Sequence, residues 1–517
     1  MKIHIIGAGA LGCAIGGALA AADSEVTPDA RNAEHVEAIR RAGLIMKDGD
    51  GERGVRAGRG GPTDSRSNSS KSARLGQPRA AVGTGQPAWR RRARGRALPV
   101  DSPEILMSQN LPLRGIRVID YSHFLAGPHI SRSLSAMGAD VIKVERPSQG
   151  DAGRASPTMV GGQSGYFMQQ NMGKKGLCIN LKDARGLQLM HELTDSADVF
   201  VENYRPGALD KLGLGYAELA RRNPKLVYCS VSAYGHTGPD AQRAGFGLIA
   251  EAKSGAMSLI GVPGERPPLF RMPIADMYAG MHGVAAVCAA LFGRIASGRG
   301  QHIDIALYDC MISMHDFAAQ SWLLSGGQEM PVQTGYDLPQ STVYGVFAAR
   351  DGYLVIAAQA DDAWKRFALL IGGEAYAADR RFHDAAGRNG HRDEILAKVR
   401  AWTMAQACVA ACCAALDAAG VPAAKVQDIA DVLTDPQTLA RGMVVEQDHP
   451  LLGRIKLPNL PFRFSDCDTS PSGPAPLLGQ HNREIAAGLG YSAAEIDTLI
   501  ADGVLYAEAD VARLPQP

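Results

Sequence analysis

The chain has 517 residues, which is too long for one ordinary domain, so two or three domains are expected. Its formal net charge of +1 gives no overall reason to expect a nucleic acid or a membrane surface as partner. The nine cysteines lie without metal-ligand spacing, so no metal site is expected, and their scatter suits a reducing cytoplasm. No segment is expected to be apolar enough to span a bilayer, so we expect a soluble protein.

The amino end, residues 1–49, has the pattern of a partial dinucleotide-binding βαβ fragment. Gly7, Gly9 and Gly12 follow an apolar strand and precede a helix, the order that places a pyrophosphate at a helix N-terminus. Asp29 is a candidate ligand for the ribose. This stretch resembles the amino end of ketopantoate reductase. The pattern stops after two strands, and such a fragment cannot bury both faces of its strands, so NADP binding is not expected.

Residues 50–107 have the composition of an Arg/Gly/Ser-rich linker. Residues 51–98 contain eleven Arg and one Lys against Glu52 and Asp64, and they show no hydrophobic period. Such a stretch cannot offset its own ordering entropy, so we predict that it is disordered. The basic run at residues 89–96 is also the pattern of a nucleic-acid patch. We interpret it instead as a linker left by a fusion of two genes.

From residue 111 onward, strand patterns alternate with helix patterns. The strands are expected at residues 115–121, 140–145, 197–203 and 225–231. This alternation predicts an α/β fold with a doubly wound, mostly parallel, Rossmann-like sheet that binds ligands at the carboxyl ends of its strands. We assign a large domain to residues 108–330, a smaller α+β domain to residues 331–432, and a return to the large domain with a C-terminal helix to residues 433–517.

Four loops leave the carboxyl ends of these strands. They carry arginine, asparagine and backbone donors, which suit a ligand that bears phosphate groups. Their residues are 124–128, 145–147, 203–207 and 232–239.

One carboxylate precedes the apolar run at residues 284–292. Asp276 stands where an N-cap would stand, and Gly280 and Gly283 keep the next turns thin enough for a close approach. The helix dipole would favour the ionised carboxylate, which suits a nucleophile. The simpler alternative is that Asp276 only caps the helix. His282, six residues on, faces elsewhere and gives no local dyad.

Dispersed motifs between residue 111 and about residue 505 resemble the family III CoA-transferases, the group of formyl-CoA transferase and L-carnitine CoA-transferase. The motifs are Leu-x-Gly-Ile-x-Val-Ile-Asp-Tyr at residues 113–121, Ala-Gly-Pro at 126–128, Gly-Ala-Asp-Val-Ile-Lys-Val-Glu-Arg-Pro at 138–147, Asn-Tyr-Arg-Pro-Gly at 203–207, Gly-Arg-Gly-Gln-x-Ile-Asp at 298–304 and Leu-Gly-x-His at 478–481.

The resemblance implies that Asp276 is a nucleophile that moves CoA from an acyl-CoA to a carboxylic acid through covalent aspartyl intermediates. It implies no metal or redox cofactor, and it implies an intertwined homodimer with the active site between subunits. It further implies CoA contacts at Leu125, Ala126, Arg146, Ile179, Asn180, Lys182, Asn203, Tyr204, Arg205 and Lys211.

Two other functions are weighed against this one. Racemases of 2-methylacyl-CoA thioesters, in the same family, need a histidine where Phe246 stands, and phenylalanine cannot move a proton. Gly247 occupies a place where the family usually offers an acid, and residues 340–345 replace its glycine-rich loop, so an oxalate or formate substrate is not implied. The alternative of another class is an NADP-binding reductase fragment with an appended module.

Overall fold

The computed structural model describes residues 111–513 and four short strands of the amino end. By its contacts the chain divides into two compact units, Met1–Gly95 and Arg96–Pro517. In the first unit one strand pair is parallel and the other antiparallel: β1 Lys2–Ile6 with β2 Glu25–Asp29, and β3 Leu44–Asp48 with β4 Gly51–Val55.

Strand β4 lies within the segment that we predicted to be disordered, so that prediction is wrong for its five residues. Its regular pairing with β3 gives these residues backbone hydrogen-bond partners that composition alone does not reveal. The glycine motif at residues 7–12, the basic run at residues 89–96 and the rest of the linker lie outside the described residues.

The second unit is built on a six-stranded sheet in the order β12-β11-β10-β5-β6-β9, and all neighbouring strands are parallel. A short antiparallel hairpin, β7–β8, precedes the edge strand β9 in the chain. The strands are β5 Arg117–Tyr121, β6 Asp140–Glu145, β7 Met159–Val160, β8 Gln163–Ser164, β9 Lys175–Cys178, β10 Val199–Glu202, β11 Val227–Ser232 and β12 His302–Ala306.

Helices cover both faces of this sheet, which confirms the predicted doubly wound α/β fold. The first helices of the unit are α1 Ala126–Ala136, α2 Gly165–Asn171, α3 Ala184–Asp195, α4 Tyr216–Arg222, α5 Gly247–Lys253, α6 Ile274–Ser297, α7 Leu307–Ser313 and α8 Phe317–Leu324. On one face, α1 and α6 pack against the valines of the central strands. On the other face, α3 packs against Ile119 and Phe200 together with the C-terminal helices.

A smaller body follows, in which a three-stranded antiparallel sheet packs on helices around Trp364 and Phe367. Its elements are β13 Tyr344–Ala349, β14 Gly352–Ala357, α9 Asp361–Ala377, α10 Ala385–Gly390, α11 Arg392–Ala405, α12 Val409–Ala418 and β15 Ala423–Lys425. The chain then runs through α13 Ile429–Thr434, α14 Pro436–Ala440, the hairpin β16 Val444–His449 and β17 Gly453–Pro458, α15 Asn482–Gly488 and α16 Ala493–Ala501.

Helix α6 is the central helix of the large domain. A Cβ atom added at Gly283 would lie 2.3 Å from Cδ1 of Ile130, and one at Gly280 would lie 2.9 Å from Cδ2 of His129. These glycines therefore allow α1 to approach closely, as predicted. Helix α6 has 24 residues, and an 18-residue window within it has a mean hydropathy of 1.4. It is therefore long and apolar enough to cross a membrane, which corrects our expectation that no segment would be. Its buried stripe instead packs against the sheet.

Helix α1 and strand β9 show two ways in which the structure differs from the sequence prediction. Helix α1 begins at Ala126, inside the predicted loop, because a proline in the first helical turn costs no hydrogen bond, and Pro128 stands there. Strand β9 was missed because it has four residues with a glycine among them, too few to show a period.

Candidate active site

Asp276 lies in the first turn of α6 but does not cap it. The N-cap is Pro273, the helix begins at Ile274, and no side chain makes a cap hydrogen bond. Within the described residues the Asp276 carboxylate accepts no hydrogen bond. The expectation that Asp276 occupies the N-cap is therefore wrong, and so is the alternative in which capping is its whole role, because the helix starts two residues earlier at the proline-preceded Ile274.

The side chain of Asp276 ionises at a higher pH than an ordinary aspartate. The side chain is partly buried, and burial together with the negative charge of Glu251 raises its pKa to about 6. We expected the helix dipole to favour the ionised form, but desolvation and like charge outweigh it. With such a pKa, about nine tenths of the groups are ionised at pH 7, so the side chain remains available as a nucleophile.

Gly247, the first residue of α5, makes room for this carboxylate. A Cβ atom at position 247 would lie 2.1 Å from Oδ2 of Asp276 and 3.1 Å from its Cγ. The oxygen of Asp276 thus occupies the volume that any side chain at 247 would need. The sequence has no acid at position 247, and this leaves the space that the Asp276 carboxylate occupies.

Glu251 follows one turn later on α5 and was missed by sequence reasoning. It is 2% exposed, and its Oε1 accepts a hydrogen bond of 3.3 Å from the backbone N–H of Ala275. The signal that could have found it is its spacing of four residues from Gly247, which places both on one helix face.

Tyr166 of α2 was also missed. Burial raises the pKa of its hydroxyl, and the charges of Asp276 and Asp151 raise it further. Its ring also lies beside Gly153, since a Cβ there would be 3.3 Å from the ring. Tyr166 therefore stands close to both the candidate nucleophile and the loop that contains Asp151. Nothing in the local pattern of residues 163–170 marks it.

A cavity of about 240 Å³ opens at the carboxyl ends of β5 and β6. Two predicted CoA contacts, Arg146 and Tyr204, line it together. The Tyr204 ring lies 5.1 Å from that of Tyr121 and 4.9 Å from that of His123, centroid to centroid. The cavity therefore combines an exposed cation with an aromatic wall, which suits a base and its phosphates.

A buried charge cluster lies beneath the loop that borders this cavity. Lys143 Nζ lies 2.9 Å from Asp151 and 3.7 Å from Asp120, and it donates to the carbonyl of Ser122. Lys174 Nζ lies 2.9 Å from Asp120. Although burial opposes ionisation, these lysines hold the pKa of Asp120 well below its ordinary value. The cluster fixes the loop from the inside.

The remaining predicted contacts fall into three kinds. Leu125 and Ala126 are buried at the start of α1, and Ile179 is buried beside Leu505, so these three present backbone more than side chain to a ligand. Asn203 exchanges hydrogen bonds of 2.8 and 2.7 Å with the backbone of His123, and Asn180 accepts one from Lys182 N–H. Exposed cations are found at Lys182, Arg205 and Lys211.

Arg205 lines a second, smaller cavity of about 80 Å³ rather than the first. Burial raises the pKa of Glu202 in this cavity to about 7, and Ser230 Oγ lies 2.8 Å from Nε2 of His302 beside it. The structure thus brings Arg146 and Tyr204 together but places Arg205 in a neighbouring polar site. Asp276 lines neither cavity in the part of the chain that the structure describes.

Comparison with known proteins agrees with these features. The family model for CoA-transferase family III matches residues 113–482, and the model for ketopantoate reductase PanE/ApbA matches residues 3–69. Succinyl-CoA:glutarate CoA-transferase of Mus musculus is 34% identical over 415 residues, which cover 80% of this chain and 94% of that protein.

Two further relatives extend the comparison. Succinyl-CoA–D-citramalate CoA-transferase of Chloroflexus aurantiacus is 34% identical over 380 residues, which cover 73% of this chain and 94% of that protein. The crystal structure of a CAIB/BAIF family protein from Brucella suis has 36% sequence identity to this chain and a TM-score of 0.66, and the alignment covers 74% of this chain and 100% of that protein's chain. The chain therefore belongs to CoA-transferase family III, as its motifs predicted, and its amino end carries a segment similar to ketopantoate reductase.

Proposed function

We propose that this enzyme moves CoA between two carboxylic acids through covalent intermediates on Asp276. The observation that carries the proposal is the state of that carboxylate. It is partly buried, it accepts no hydrogen bond within the described residues, and it lies over the bare backbone of Gly247. A carboxylate without donors keeps its lone pairs for attack, and covalent catalysis by aspartate needs such a group.

The first half of the cycle would load CoA onto the enzyme. An Asp276 oxygen attacks the thioester carbonyl, the C–S bond breaks, and a mixed anhydride and CoA thiolate form. The thiolate then attacks the aspartyl carbonyl, the C–O bond breaks, and the first acid leaves as its carboxylate. Asp276 is now a CoA thioester. No proton is gained or lost, because a carboxylate and a thiolate are the charged species throughout.

The second half would repeat these steps in reverse order. The acceptor carboxylate attacks the aspartyl thioester, which gives a second anhydride and CoA thiolate. Thiolate attack on the acceptor acyl carbon then gives the new acyl-CoA and frees Asp276. Splitting the transfer into stages lowers each barrier. Because every intermediate can be hydrolysed, the site must exclude water, and the partial burial of Asp276 supports this.

The start of α6 offers one backbone donor for the developing oxyanions. The N–H of Ile274 donates to the carbonyl of Met272, and the N–H of Ala275 donates to Glu251. Among the described residues the N–H of Asp276 itself has no acceptor, so it remains for an oxyanion.

The cavity of about 240 Å³ is the proposed seat of the adenosine end of CoA, with Tyr204 and Tyr121 against the base. Arg146 at its rim would hold a phosphate. Lys182, Arg205 and Lys211 are also exposed, and we propose that they add positive charge for the remaining phosphates of CoA.

For substrates we propose succinyl-CoA or a similar dicarboxylic thioester as donor and a short dicarboxylic acid as acceptor. Two relatives that are equally identical to this chain are named for succinyl-CoA, but they differ in acceptor, glutarate in one and D-citramalate in the other. Arg271, five residues before Asp276, is exposed and has no ion pair within the described residues, so it is a candidate partner for a distal carboxylate.

The proposed assembly is an intertwined homodimer. Helices α6 and α8 expose large apolar side chains on the described surface, and soluble proteins rarely leave such patches uncovered. They are Phe292, Ile295, Phe317, Leu323 and Leu324. A second copy of the chain would cover them.

A racemase reaction is disfavoured by Phe246. Its ring is 68% exposed at the start of α5, next to Gly247, where a proton-transferring side chain would be needed. A transfer reaction requires no such base.

The experiment that tests the function compares the full chain with Asp276→Ala and with the exposed control Asp466→Ala. Succinyl-CoA and glutarate are mixed with each protein, and glutaryl-CoA is measured by chromatography. Asp276→Ala should lose at least about a thousandfold in rate, because the covalent route is gone, while Asp466→Ala should match the wild type. A hydroxylamine-sensitive CoA adduct should map to Asp276. Normal transfer by Asp276→Ala would refute the proposal.

A further inference from the structure

Glu251 is a buried carboxylate that the transfer steps do not use. It is 2% exposed, and its one hydrogen-bond donor within the described residues is the N–H of Ala275, the residue before Asp276. No lysine, arginine or histidine of the described residues forms an ion pair with it. A buried acid without a cation is costly, so a structural explanation alone would favour glutamine at this position.

The place of Glu251 relative to Asp276 is fixed from two sides. Gly247 and Glu251 lie four residues apart on α5, and the first leaves room for the Asp276 carboxylate while the second bonds to the start of α6. The hydrogen bond to Ala275 thereby sets where the first turn of α6 begins. It also keeps a second negative charge beside the first.

The charges around Asp276 can be named element by element. Helix α5 contributes Glu251, and α2 contributes the Tyr166 hydroxyl. Helix α1 places His129 against Gly280 one turn further along α6, and burial lowers the pKa of this histidine to about 4, so it is neutral at neutral pH. Strand β11 contributes Cys229, which burial keeps protonated, near Gly283. Glu251 is therefore the nearby charge that acts on Asp276.

We propose that Glu251 is a positioning residue that drives Asp276 toward its acylated and CoA-bound forms, an inference that rests on the covalent function proposed above. Like charge raises the free energy of the free Asp276 carboxylate. It does not act in the same way on the anhydride or the thioester, because Asp276 carries no charge in either. The covalent intermediates are thereby favoured over the resting enzyme. A carboxylate made more basic in this way is also the stronger nucleophile.

The magnitude follows from the titration of Asp276. Its pKa rises from 3.8 to about 6, and burial is a larger cause than Glu251. Because Glu251 is the smaller of the two causes, we expect the loss of its charge to change the balance between free and acylated enzyme by at most about tenfold.

The test uses two full-length variants and two measurements that a merely structural role would not move. Glu251→Gln keeps an oxygen that can accept from Ala275 N–H but removes the charge. Glu251→Asp keeps the charge on a shorter side chain. Surface Glu218→Gln is the control for the loss of one negative charge. The first measurement is the fraction of enzyme that carries a CoA adduct after mixing with succinyl-CoA alone, by intact mass. The second is the acid limb of kcat/KM against pH.

Glu251→Gln should lower the equilibrium constant for formation of the CoA adduct by up to about tenfold, and the measured adduct fraction should fall with it. It should also move the acid limb of kcat/KM from near pH 6 to a lower pH. Glu251→Asp should keep the limb near its wild-type position even if it loses stability, and Glu218→Gln should match the wild type. An unchanged adduct fraction and pH profile in a folded Glu251→Gln enzyme would overturn the inference. If Glu251→Gln does not fold, a Glu251→Asp enzyme with a clearly lowered limb would overturn it instead.

These outcomes are separate from the test of the function itself. If Asp276→Ala keeps full transfer activity, the covalent function fails. If Asp276→Ala is inactive but Glu251→Gln is unchanged in both measurements, then the covalent function stands and the role of Glu251 is lost.

Discussion

At the scale of single residues, the site depends on a competition for volume. The Asp276 oxygen fills the space that a methyl group at position 247 would take, at a separation of 2.1 Å. Because real carbon and oxygen atoms do not approach so closely, a side chain at 247 and the present orientation of Asp276 exclude each other. Gly247 thus sets the direction of the Asp276 side chain, the proposed nucleophile.

The substitution Gly247→Ala tests this point. The new Cβ should rotate the short Asp276 side chain away from its present direction and lower kcat/KM by about ten- to a hundredfold, since small displacements of a reacting group are costly. Helix α5 should persist, because alanine is a better helix former than glycine. Gly488→Ala is the matched control, as a Cβ at Gly488 meets nothing within 4 Å. The measurement is kcat/KM from steady-state kinetics, made on variants of equal thermal stability. A wild-type value of kcat/KM in Gly247→Ala would contradict the role given to Gly247.

At the scale of elements, the buried charge cluster joins strands β5 and β6 and helix α1 to the segments that contain Asp151 and Lys174. Asp120, next to the last residue of β5, accepts hydrogen bonds from Ser131 of α1, at 2.6 Å, and from Lys174, at 2.9 Å. Lys143 of β6 links Asp120 to Asp151, which in turn accepts from the backbone N–H of Phe124 at 3.0 Å. Phe124 has a positive φ of 62°, and its N–H donates to Asp151 of the cluster, so the cluster stabilises this unusual loop conformation.

Asp120→Asn should be strongly destabilising. It leaves Lys174 buried with neutral acceptors alone, and breaking one partner of a buried pair costs about 3–5 kcal/mol. Urea unfolding followed by circular dichroism measures the loss. Glu218→Gln, which breaks the exposed pair with Arg221, should leave the unfolding free energy nearly unchanged, because solvent screens exposed ion pairs. A loss below about 1 kcal/mol for Asp120→Asn would show that the cluster does not stabilise the fold.

The same cluster has a defined pH dependence. The pKa of Asp120 is lowered in the folded protein, so the stability it provides is present above the ordinary aspartate pKa of about 4 and is lost as the pH falls below it. The difference in unfolding free energy between wild type and Asp120→Asn should therefore shrink in acid.

Some elements and site residues of this protein could be predicted from the sequence, and others could not. Strand β6 was predicted with its observed bounds, Asp140–Glu145, because its β-branched Val141, Ile142 and Val144 lie between the turn residues Gly138 and Pro147. Asp276 was proposed from its place before the apolar run at residues 284–292 and from the family resemblance. Glu251 and Tyr166 were not located, because their importance comes from burial and charge shared with residues far along the chain. The N-cap assignment failed because Pro273 is the N-cap and the helix begins at Ile274, two residues before Asp276.

At the scale of the whole molecule, the proposed dimer rests on the exposed apolar faces of α6 and α8. Phe292 is 77% exposed and Ile295 is 82% exposed on α6. A helix that buries one stripe against the sheet and leaves large apolar side chains on another is typical of a subunit interface. The same apolar surface explains why α6 has the length and composition of a membrane-spanning helix.

The double substitution Phe292→Asp/Ile295→Asp tests the dimer. The wild-type chain, of 54.6 kDa, should elute with about twice that mass in size-exclusion chromatography with light scattering. The variant should elute as a monomer, because two buried and unpaired carboxylates per subunit cost more than the interface can offset. Transfer activity should fall with the loss of the dimer if the site lies between subunits. Ile429→Asp, a control at a 75% exposed position of α13, should remain dimeric and active. A wild-type chain that elutes as a monomer at micromolar concentration, with full transfer activity, would refute the assembly and would leave the apolar face of α6 without its proposed partner.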